Sequence, residues 1–427
     1  MKACSDIKYR LVYALVILLS AAMAVHMAVS IDLDWFYLDY FSFLSAADTL
    51  RSGHLDVLRT PVYPLLIALT EPWTSDPMAP YALLGINISL HLCSVEAFRR
   101  ICLCLGIRRW TGMALTAVYA LLPGIVAWAA IPNSDGLGIS LTVIWLWLTV
   151  RDAPDRIRPA SALWSALLWL ILVLLRPIFV CLLPIVLLRW GYVLFRGNRR
   201  AGTIGLATLV AAVTVLALYR AEIHRLYNID SFTHVTALNN YYLVCEHGVI
   251  SDEDAITEAQ RRGLALTREF SDTTSLDPLK IDVGWQIGFY PMPPDELEDI
   301  VGRTVRRDPG GIAATLWIRW TDRFTDEEAI RGDSKGLDRI YSMTIGTLVF
   351  FYLLTALILI ASGRRLTFPI RSWTVWLTGA AVIATSFLGA WSYYARLIAP
   401  AIAPSLILLG LALSLLHFKK SADERLG

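Results

Sequence analysis

Residues 11–30 read LVYALVILLSAAMAVHMAVS, a run of 20 residues without a charged side chain. A helix of that length extends about 30 Å, which matches the hydrocarbon core of a bilayer. Basic residues precede the run, at Lys2, Lys8 and Arg10. The apolar stretch is long for a secretion signal, so it predicts a first membrane-spanning helix. The alternative, a cleaved signal peptide, would leave the predicted topology of the remaining chain unchanged.

Comparable apolar runs recur along the chain, and its composition agrees with them. Of the 427 residues, 56% are hydrophobic and only 17% are charged, which is too apolar for a soluble protein of this length. We therefore predict an all-α polytopic membrane protein. Ten transmembrane helices are predicted near residues 11–30, 79–98, 110–130, 134–150, 160–175, 177–195, 202–219, 341–361, 370–390 and 396–416.

The arginine clusters between these runs give the predicted orientation. They lie in every second loop between the predicted helices, which puts them on the same side of the membrane as the N-terminus. Lys419 and Lys420 follow the last run. Because cytoplasmic loops are enriched in Lys and Arg, this pattern predicts cytoplasmic N- and C-termini in the cytoplasmic (inner) membrane. The prediction depends on a turn at Arg176-Pro177. If the two runs on either side formed one broken helix, everything downstream would change sides.

Acidic residues are concentrated in one hydrophilic segment. Glu222 to Asp338 contains 22 of the 36 acidic residues but only 12 of the 38 basic ones. This imbalance predicts an extracytoplasmic domain at 221–338, built of helices with Pro and Gly breaks. It separates an N-terminal transmembrane module, 1–220, from C-terminal transmembrane helices and a short cytoplasmic tail, 339–427. A basic stripe for nucleic acid is missing from the sequence, so we exclude that class of partner.

The first external loop, residues 31–78, is unusually apolar and aromatic. Large apolar residues recur at helical spacing from Leu33 to Leu50, which predicts an amphipathic helix at the membrane surface. The motif Pro61-Val-Tyr-Pro64 then opens an apolar stretch that is too short to span a bilayer. It predicts a second interfacial or re-entrant helix.

Carboxylates crowd the same loop. A carboxylate and a guanidinium at the mouth of a helical bundle suit chemistry that deprotonates a hydroxyl and neutralises a phosphate. The alternative is a solvated loop whose charges mark the membrane boundary. The residues concerned are Asp32, Asp34, Asp39, Asp48, Asp56 and Arg59.

The stretch Asp39-Tyr-Phe-Ser-Phe-Leu-Ser-Ala-Ala47, followed by Gly53 and Arg59-Thr-Pro-Val-Tyr-Pro64, resembles the first external loop of the GT-C glycosyltransferases. That superfamily includes the protein O-mannosyltransferases and the lipid A aminoarabinose transferases. Weaker similarity lies at Asn133-Ser-Asp135, Leu175-Arg-Pro177 and Tyr394-Ala-Arg396. The resemblance is specific over residues 34–69, and segment 221–338 does not share it.

The resemblance implies an inverting transfer of a sugar from a polyprenyl-phosphate carrier to a glycan, lipid or protein acceptor. Such a donor leaves as a phosphate anion, so the reaction needs a base for the acceptor hydroxyl more than an acid for the leaving group. Asp39 is the expected base. Asp34 is the second candidate, and Asp32 is interpreted as a helix cap.

The remaining expected site residues would bind the substrate. The arginines would hold the lipid phosphate, although Arg176 and Arg396 also fit residues that extend to the membrane interface. Asp135 would be an acid behind the residues that touch the substrate or an acceptor contact, or simply a favourable charge at a helix N-terminus. The full set of expected binding residues is Arg59, Tyr63, Asp135, Arg176, Tyr394 and Arg396.

No cofactor is predicted from the sequence. Some GT-C enzymes use a divalent metal, but one firm carboxylate candidate is too few to predict a metal here. The pairs His91/Cys93 and Cys102/Cys104 lack the spacing of a zinc site, so we interpret them as packing residues. Two rival functions stay open: a polysaccharide polymerase or ligase that uses a lipid diphosphate, with its chemistry in 221–338, and a transporter or flippase.

Overall fold

The computed structural model describes residues 2–30, 37–70, 80–245, 248–273, 291–325, 370–389 and 398–423, with five further residues between 350 and 357. All regular secondary structure within these ranges is helical, which confirms the all-α prediction for them. The helices of the first half are α1 (Lys2–Ser30), α2 (Tyr37–Arg51), α3 (Val62–Thr70), α4 (Tyr81–Cys104), α5 (Arg109–Leu121), α6 (Pro123–Ala129), α7 (Ser134–Val150), α8 (Pro159–Leu175), α9 (Leu183–Arg196) and α10 (Arg199–Tyr227). Those of the second half are α11 (His234–Cys245), α12 (Glu258–Thr273), α13 (Pro294–Arg307), α14 (Pro309–Thr325), α15 (Ile370–Gly389) and α16 (Ile402–Asp423).

Four helical segments of the described chain are long and apolar enough to cross a membrane. They are Asp6–Ser30, Tyr81–Cys104, Pro177–Arg196 and Arg199–Tyr227. The helices α5 and α6 would make a fifth span if counted together, although they are bent by 53°. Leu122 is extended there because the residue before Pro123 avoids the helical conformation. The composition and these helices indicate a membrane protein, while the number of ten spans stays a prediction.

Helices α7 and α8 are shorter apolar helices of 17 residues each, at two of the predicted positions. The chain reverses after α8, at the predicted turn. Arg176 is extended before Pro177, and a 3₁₀ turn over Pro177–Leu182 follows. Trp169 Nε1 donates to the Phe179 carbonyl at 3.1 Å. Ten residues of continuous helix would separate these groups by about 15 Å, so the chain must fold back.

Four fully buried tryptophans anchor the main helical core, together with aliphatic side chains from most helices of the bundle. Small residues let neighbouring helices approach them closely. A Cβ on Gly205 of α10 would lie 2.6 Å from the Trp190 ring of α9, so only glycine fits at that crossing. The tryptophans are Trp128, Trp145, Trp169 and Trp190.

The described part of segment 221–338 is a helical unit with an apolar core of its own. Helix α10 continues to Tyr227, eight residues beyond the predicted end of its span, and Asn228 then ends it in a left-handed conformation with φ of 55°. The unit is helical as predicted, whereas its position outside the cytoplasm and the domain boundaries stay predictions. Its core includes Leu238, Tyr241, Leu264, Leu297 and Ile300.

Helices α2 and α3 of the first loop pack against each other and against the bundle. One face of α2 is buried through Tyr40, Phe43 and Ala47, whereas Asp48 on the other face is exposed. This one-sided burial agrees with the predicted amphipathic helix. The buried face meets Tyr63 and Ile67 of α3 and three bundle residues, Leu83, Leu137 and Leu175.

Candidate active site

A cavity of about 500 Å³ lies where the first loop meets the start of α7, the end of α8 and the start of α11. It brings together three of the expected binding residues, Arg59, Asp135 and Arg176, which are far apart in the sequence. The remaining walls combine apolar side chains with neutral polar ones. Further lining residues include Phe43, Thr60, Asn133, Pro177, Ile178, Cys181, Phe232, Thr233, Thr236, Asn239, Asn240 and Thr385.

The guanidinium of Arg59 is held by α2. Its Cζ lies 4.4 Å from the centre of the Phe43 ring, and its Nε donates to Ser42 Oγ at 2.8 Å. Stacking on an aromatic face and a directed hydrogen bond restrict a side chain that would otherwise be mobile. Phe43 itself rests edge-on against Tyr63, with ring centres 4.7 Å apart. Arg59 therefore reaches the cavity in a defined orientation.

The backbone around Arg59 is fixed by a half-buried carboxylate. Asp56 Oδ1 accepts hydrogen bonds from the N–H groups of Leu58 and Arg59 at 2.8 and 2.7 Å. Burial raises the pKa of Asp56 above its ordinary value, although these N–H donors and the Arg59 charge oppose the rise. The Asp56 carboxylate therefore stabilises the backbone conformation of the loop that carries Arg59.

Three hydrogen bonds join this loop to later parts of the chain. Tyr227 Oη donates to the Leu55 carbonyl at 2.6 Å, and the His234 N–H donates to the Val57 carbonyl at 2.8 Å. Thr60 Oγ1 donates to the Leu175 carbonyl at 3.0 Å, at the end of α8. The loop that carries Arg59 is therefore held at the junction of the bundle and the 221–245 region.

Asp135 and Arg176 form an ion pair at the cavity wall. Asn133 caps α7, accepting from the Asp135 N–H, and Asp135 lies in the first turn, where the helix dipole favours a negative charge. Arg176 follows the last residue of α8, and its Nη1 contacts Asp135 Oδ1. The Asp135 side chain is only 1% exposed, against 19% for Arg176. Asp135 is therefore a helix N-terminal charge that also holds an arginine, while its role as an acid or an acceptor contact stays a prediction.

Gly136 allows α7 to begin at this place. A Cβ on Gly136 would overlap the backbone carbonyl of Trp128, so α7 packs directly on α6 next to Asp135. We expect Gly136→Ala to lower the thermal unfolding temperature in detergent, at a cost of about 1 to 3 kcal/mol for the overlap. Gly85→Ala in α4 is the matched control, because its Cβ would meet nothing within 4 Å. Equal stability of the two variants would contradict the close-packing role of Gly136.

The other expected residues divide between buried and undescribed positions. Asp39 lies in the first turn of α2, four residues before Phe43, but its side chain is outside the described part of the structure. Asp32, Asp34, Tyr394 and Arg396 also lie outside the described residues. Tyr63 is fully buried against Phe43 and is not among the described residues that line the cavity, so its contact with a substrate stays a prediction.

The sequence interpretation missed the polar wall that α11 contributes. Thr233, Thr236 and Asn240 are spaced as one face of a helix, and Asn239 adjoins them. The hydroxyls of Thr233 and Thr236 are 3.1 Å apart and share a hydrogen bond. A run of neutral polar residues with helical spacing is, by itself, a weak indication of a binding site. Its place in the cavity depends on tertiary contacts, among them the contact with the Arg59 loop.

The charged groups that line the cavity are two guanidiniums and one carboxylate, leaving one net positive charge on its described walls. Such a site can hold a monovalent oxyanion. No cluster of three or more His, Cys, Asp and Glu side chains suited to a metal occurs in the described ranges.

Neither a protein-family model nor a curated protein matches the chain. A solved structure of the Archaeoglobus fulgidus oligosaccharyltransferase in the apo form is similar, with a TM-score of 0.49 and 12% identity. The match covers 96% of this chain and 52% of that enzyme, so the chain spans about half of its length. A similarity at this level assigns neither a family nor a function.

Proposed function

We propose that this protein is a GT-C-type membrane glycosyltransferase. It would move a sugar from a polyprenyl-phosphate donor to an acceptor hydroxyl at the extracytoplasmic face, with inversion at the anomeric carbon. The main support is the single cavity lined by Arg59, Asp135 and Arg176, three residues that the sequence resemblance selects from separate regions. The apolar helices support a lipid bilayer as its setting.

The charge of the cavity supports a phosphate rather than a diphosphate donor. A sugar linked to polyprenyl phosphate is a phosphodiester with one negative charge, equal to the net positive charge of the described cavity walls. The released polyprenyl phosphate gains further negative charge as the glycosidic bond breaks. Arginines already in position favour that change, because they stabilise the leaving group more than the bound donor.

In the proposed reaction, Asp39 accepts the proton of the acceptor hydroxyl while the acceptor oxygen attacks the anomeric carbon. The bond from this carbon to the phosphate oxygen breaks, and its electron pair leaves with the phosphate. Attack opposite the leaving group inverts the anomeric centre. Arg59 and Arg176 neutralise the departing phosphate, and Asp135 acts as a positioning residue for Arg176. Asp34 is the alternative base.

The direct test is transfer of radiolabel from a panel of polyprenyl-phosphate sugars to membrane acceptors by the purified protein in lipid nanodiscs. We expect at least one donor to support transfer. Polyprenyl-diphosphate sugars should not, because the described walls of the cavity carry only one net positive charge. Transfer only from diphosphates would favour a polymerase or ligase. Movement of intact substrate across the bilayer without transfer would favour a transporter.

Arg59 gives a residue-level test of the phosphate site. We expect Arg59→Gln to raise the KM for the donor by about 10- to 100-fold, because a hydrogen bond from a charged group contributes about 1.5 to 3 kcal/mol. Arg51→Gln is the control, since Arg51 lies on α2 and is paired with the exposed Asp48. An unchanged donor KM in Arg59→Gln would remove Arg59 from the phosphate site.

A further inference from the structure

Helix α11 contributes a wall of neutral polar side chains to the cavity that contains the arginines. Thr233, Thr236, Asn239 and Asn240 all line it, and the two asparagines are half-buried. Carboxamides and hydroxyls both donate and accept hydrogen bonds, so they match the hydroxyl groups of a sugar. An apolar pocket with a few convergent polar groups is the usual form of a small-molecule site.

Asn240 is the residue of this wall with the most unused hydrogen-bonding capacity. Within the described part of the chain its carboxamide has no hydrogen-bond partner, whereas Thr233 and Thr236 bond to each other. A carboxamide offers two N–H donors and an acceptor oxygen. Because Asn240 is half-buried, satisfying these groups inside the cavity requires water or a ligand.

Charge is confined to a different part of the cavity. Among its described lining residues, Arg59, Arg176 and Asp135 carry all the charge, and Asp135 is already paired with Arg176. The stretch 233–240 presents no carboxylate to pair with an ammonium group and no Lys or Arg to pair with a carboxylate. A charged sugar bound there would lose water without gaining an opposite charge.

The start of α11 is also tied to the loop that carries Arg59. The His234 N–H donates to the Val57 carbonyl at 2.8 Å, two residues before Arg59. This bond places the start of the polar wall next to the backbone of the loop that carries Arg59. A ligand that contacts both the polar wall and the guanidinium would need an anionic group joined directly to a neutral polyhydroxylated group.

We infer that the α11 wall binds the sugar of the donor, and that this sugar is an uncharged hexose or pentose rather than an amino sugar or a uronic acid. The inference rests on the proposed function, because the phosphate at the arginines places the sugar beside the wall. Asn240 would be a specificity-determining residue that bonds to the sugar hydroxyls.

The test measures binding to the full-length protein in nanodiscs by competition with a fluorescent polyprenyl phosphate. Four unlabelled short-chain competitors are used: sugar-free polyprenyl phosphate and its neutral hexose, amino sugar and uronic acid derivatives. We expect the neutral hexose derivative to bind tighter than the amino sugar and uronic acid derivatives. Asn240→Ala should weaken its binding by about 3- to 10-fold, as for one or two lost hydrogen bonds, and leave the sugar-free lipid unchanged.

Asn240→Asp adds a carboxylate of nearly the same shape. It should shift the preference toward the amino sugar derivative by about tenfold or more, because a charged hydrogen bond replaces a neutral one. Thr214→Ala is the control, since Thr214 is exposed on α10 and bonds only to the Val210 carbonyl of its own helix. Thr214→Ala should leave the binding of all four competitors unchanged.

Several outcomes would overturn the inference. One is tighter binding of the amino sugar or uronic acid derivative by the wild type. Another is an equal loss of affinity for the sugar-free and the sugar-bearing lipids in Asn240→Ala, which would assign Asn240 to the phosphate site or to folding. If the sugar-free lipid fails to bind the wild type, the phosphate site itself is absent, and the proposed function falls together with the inference.

Discussion

Asp39→Asn should reduce the rate of sugar transfer by about 10²- to 10⁴-fold, the usual contribution of a general base. The amide keeps the size of the carboxylate but cannot accept the acceptor proton. Asp39 lies in the first turn of α2, four residues before the cavity-lining Phe43. The donor KM should change little, because the proposed phosphate ligands are arginines. Single-turnover transfer in nanodiscs measures the chemical step directly.

Asp48→Asn is the matched control for this experiment. Asp48 lies on the same helix, but its side chain is 73% exposed and pairs with Arg51, so its replacement should leave transfer unchanged. Asp34→Asn should be tested beside it. If Asp34→Asn abolishes transfer and Asp39→Asn does not, Asp34 is the base. Full activity in both variants would exclude a carboxylate base at either position.

Asp135→Asn should strongly destabilise the protein. It leaves Arg176 without the carboxylate that it contacts, in a setting where the Asp135 side chain is 1% exposed. Removing one partner of a buried ion pair costs about 3 to 5 kcal/mol, because the remaining charge is left uncompensated. Equilibrium unfolding in detergent should show this loss.

Arg176→Gln and the double variant complete a double-mutant cycle for this pair. The double variant should be more stable than the sum of the two single losses predicts, because neither charge is then left alone. The exposed pair of Asp48 and Arg51 gives the matched control cycle, with an expected coupling below about 1 kcal/mol. Additive losses at Asp135 and Arg176 would show that the contact contributes no coupling.

The sequence predicted those features that depend on local rules. Apolar runs predicted the positions of most helices, and Pro177 predicted the reversal that the hydrogen bond from Trp169 to Phe179 now defines. Helices α2 and α3 also lie where the periodicity of the first loop indicated them. The end of α10 was less predictable, because the helix extends past its apolar part to Tyr227.

The sequence predicted individual residues of the cavity but not the contacts that bring them together. Arg59, Asp135 and Arg176 were each selected from the sequence, but the ion pair joins positions 41 residues apart, and no local rule specifies it. The α11 wall could not be assigned from the sequence, because its place depends on long-range contacts such as the backbone bond from His234 to Val57. Segment 221–338 has no resemblance that would have supplied this contact.

The anchoring of the Arg59 loop has a consequence for the order of synthesis. Its partners Leu175, Tyr227 and His234 lie 115 to 177 residues further along the chain. The ribosome therefore completes more than half of the protein before Arg59 can reach its final position. Until then, the loop after α2 lacks these three hydrogen bonds, and a nascent chain that ends before His234 would contain both arginines without a finished cavity.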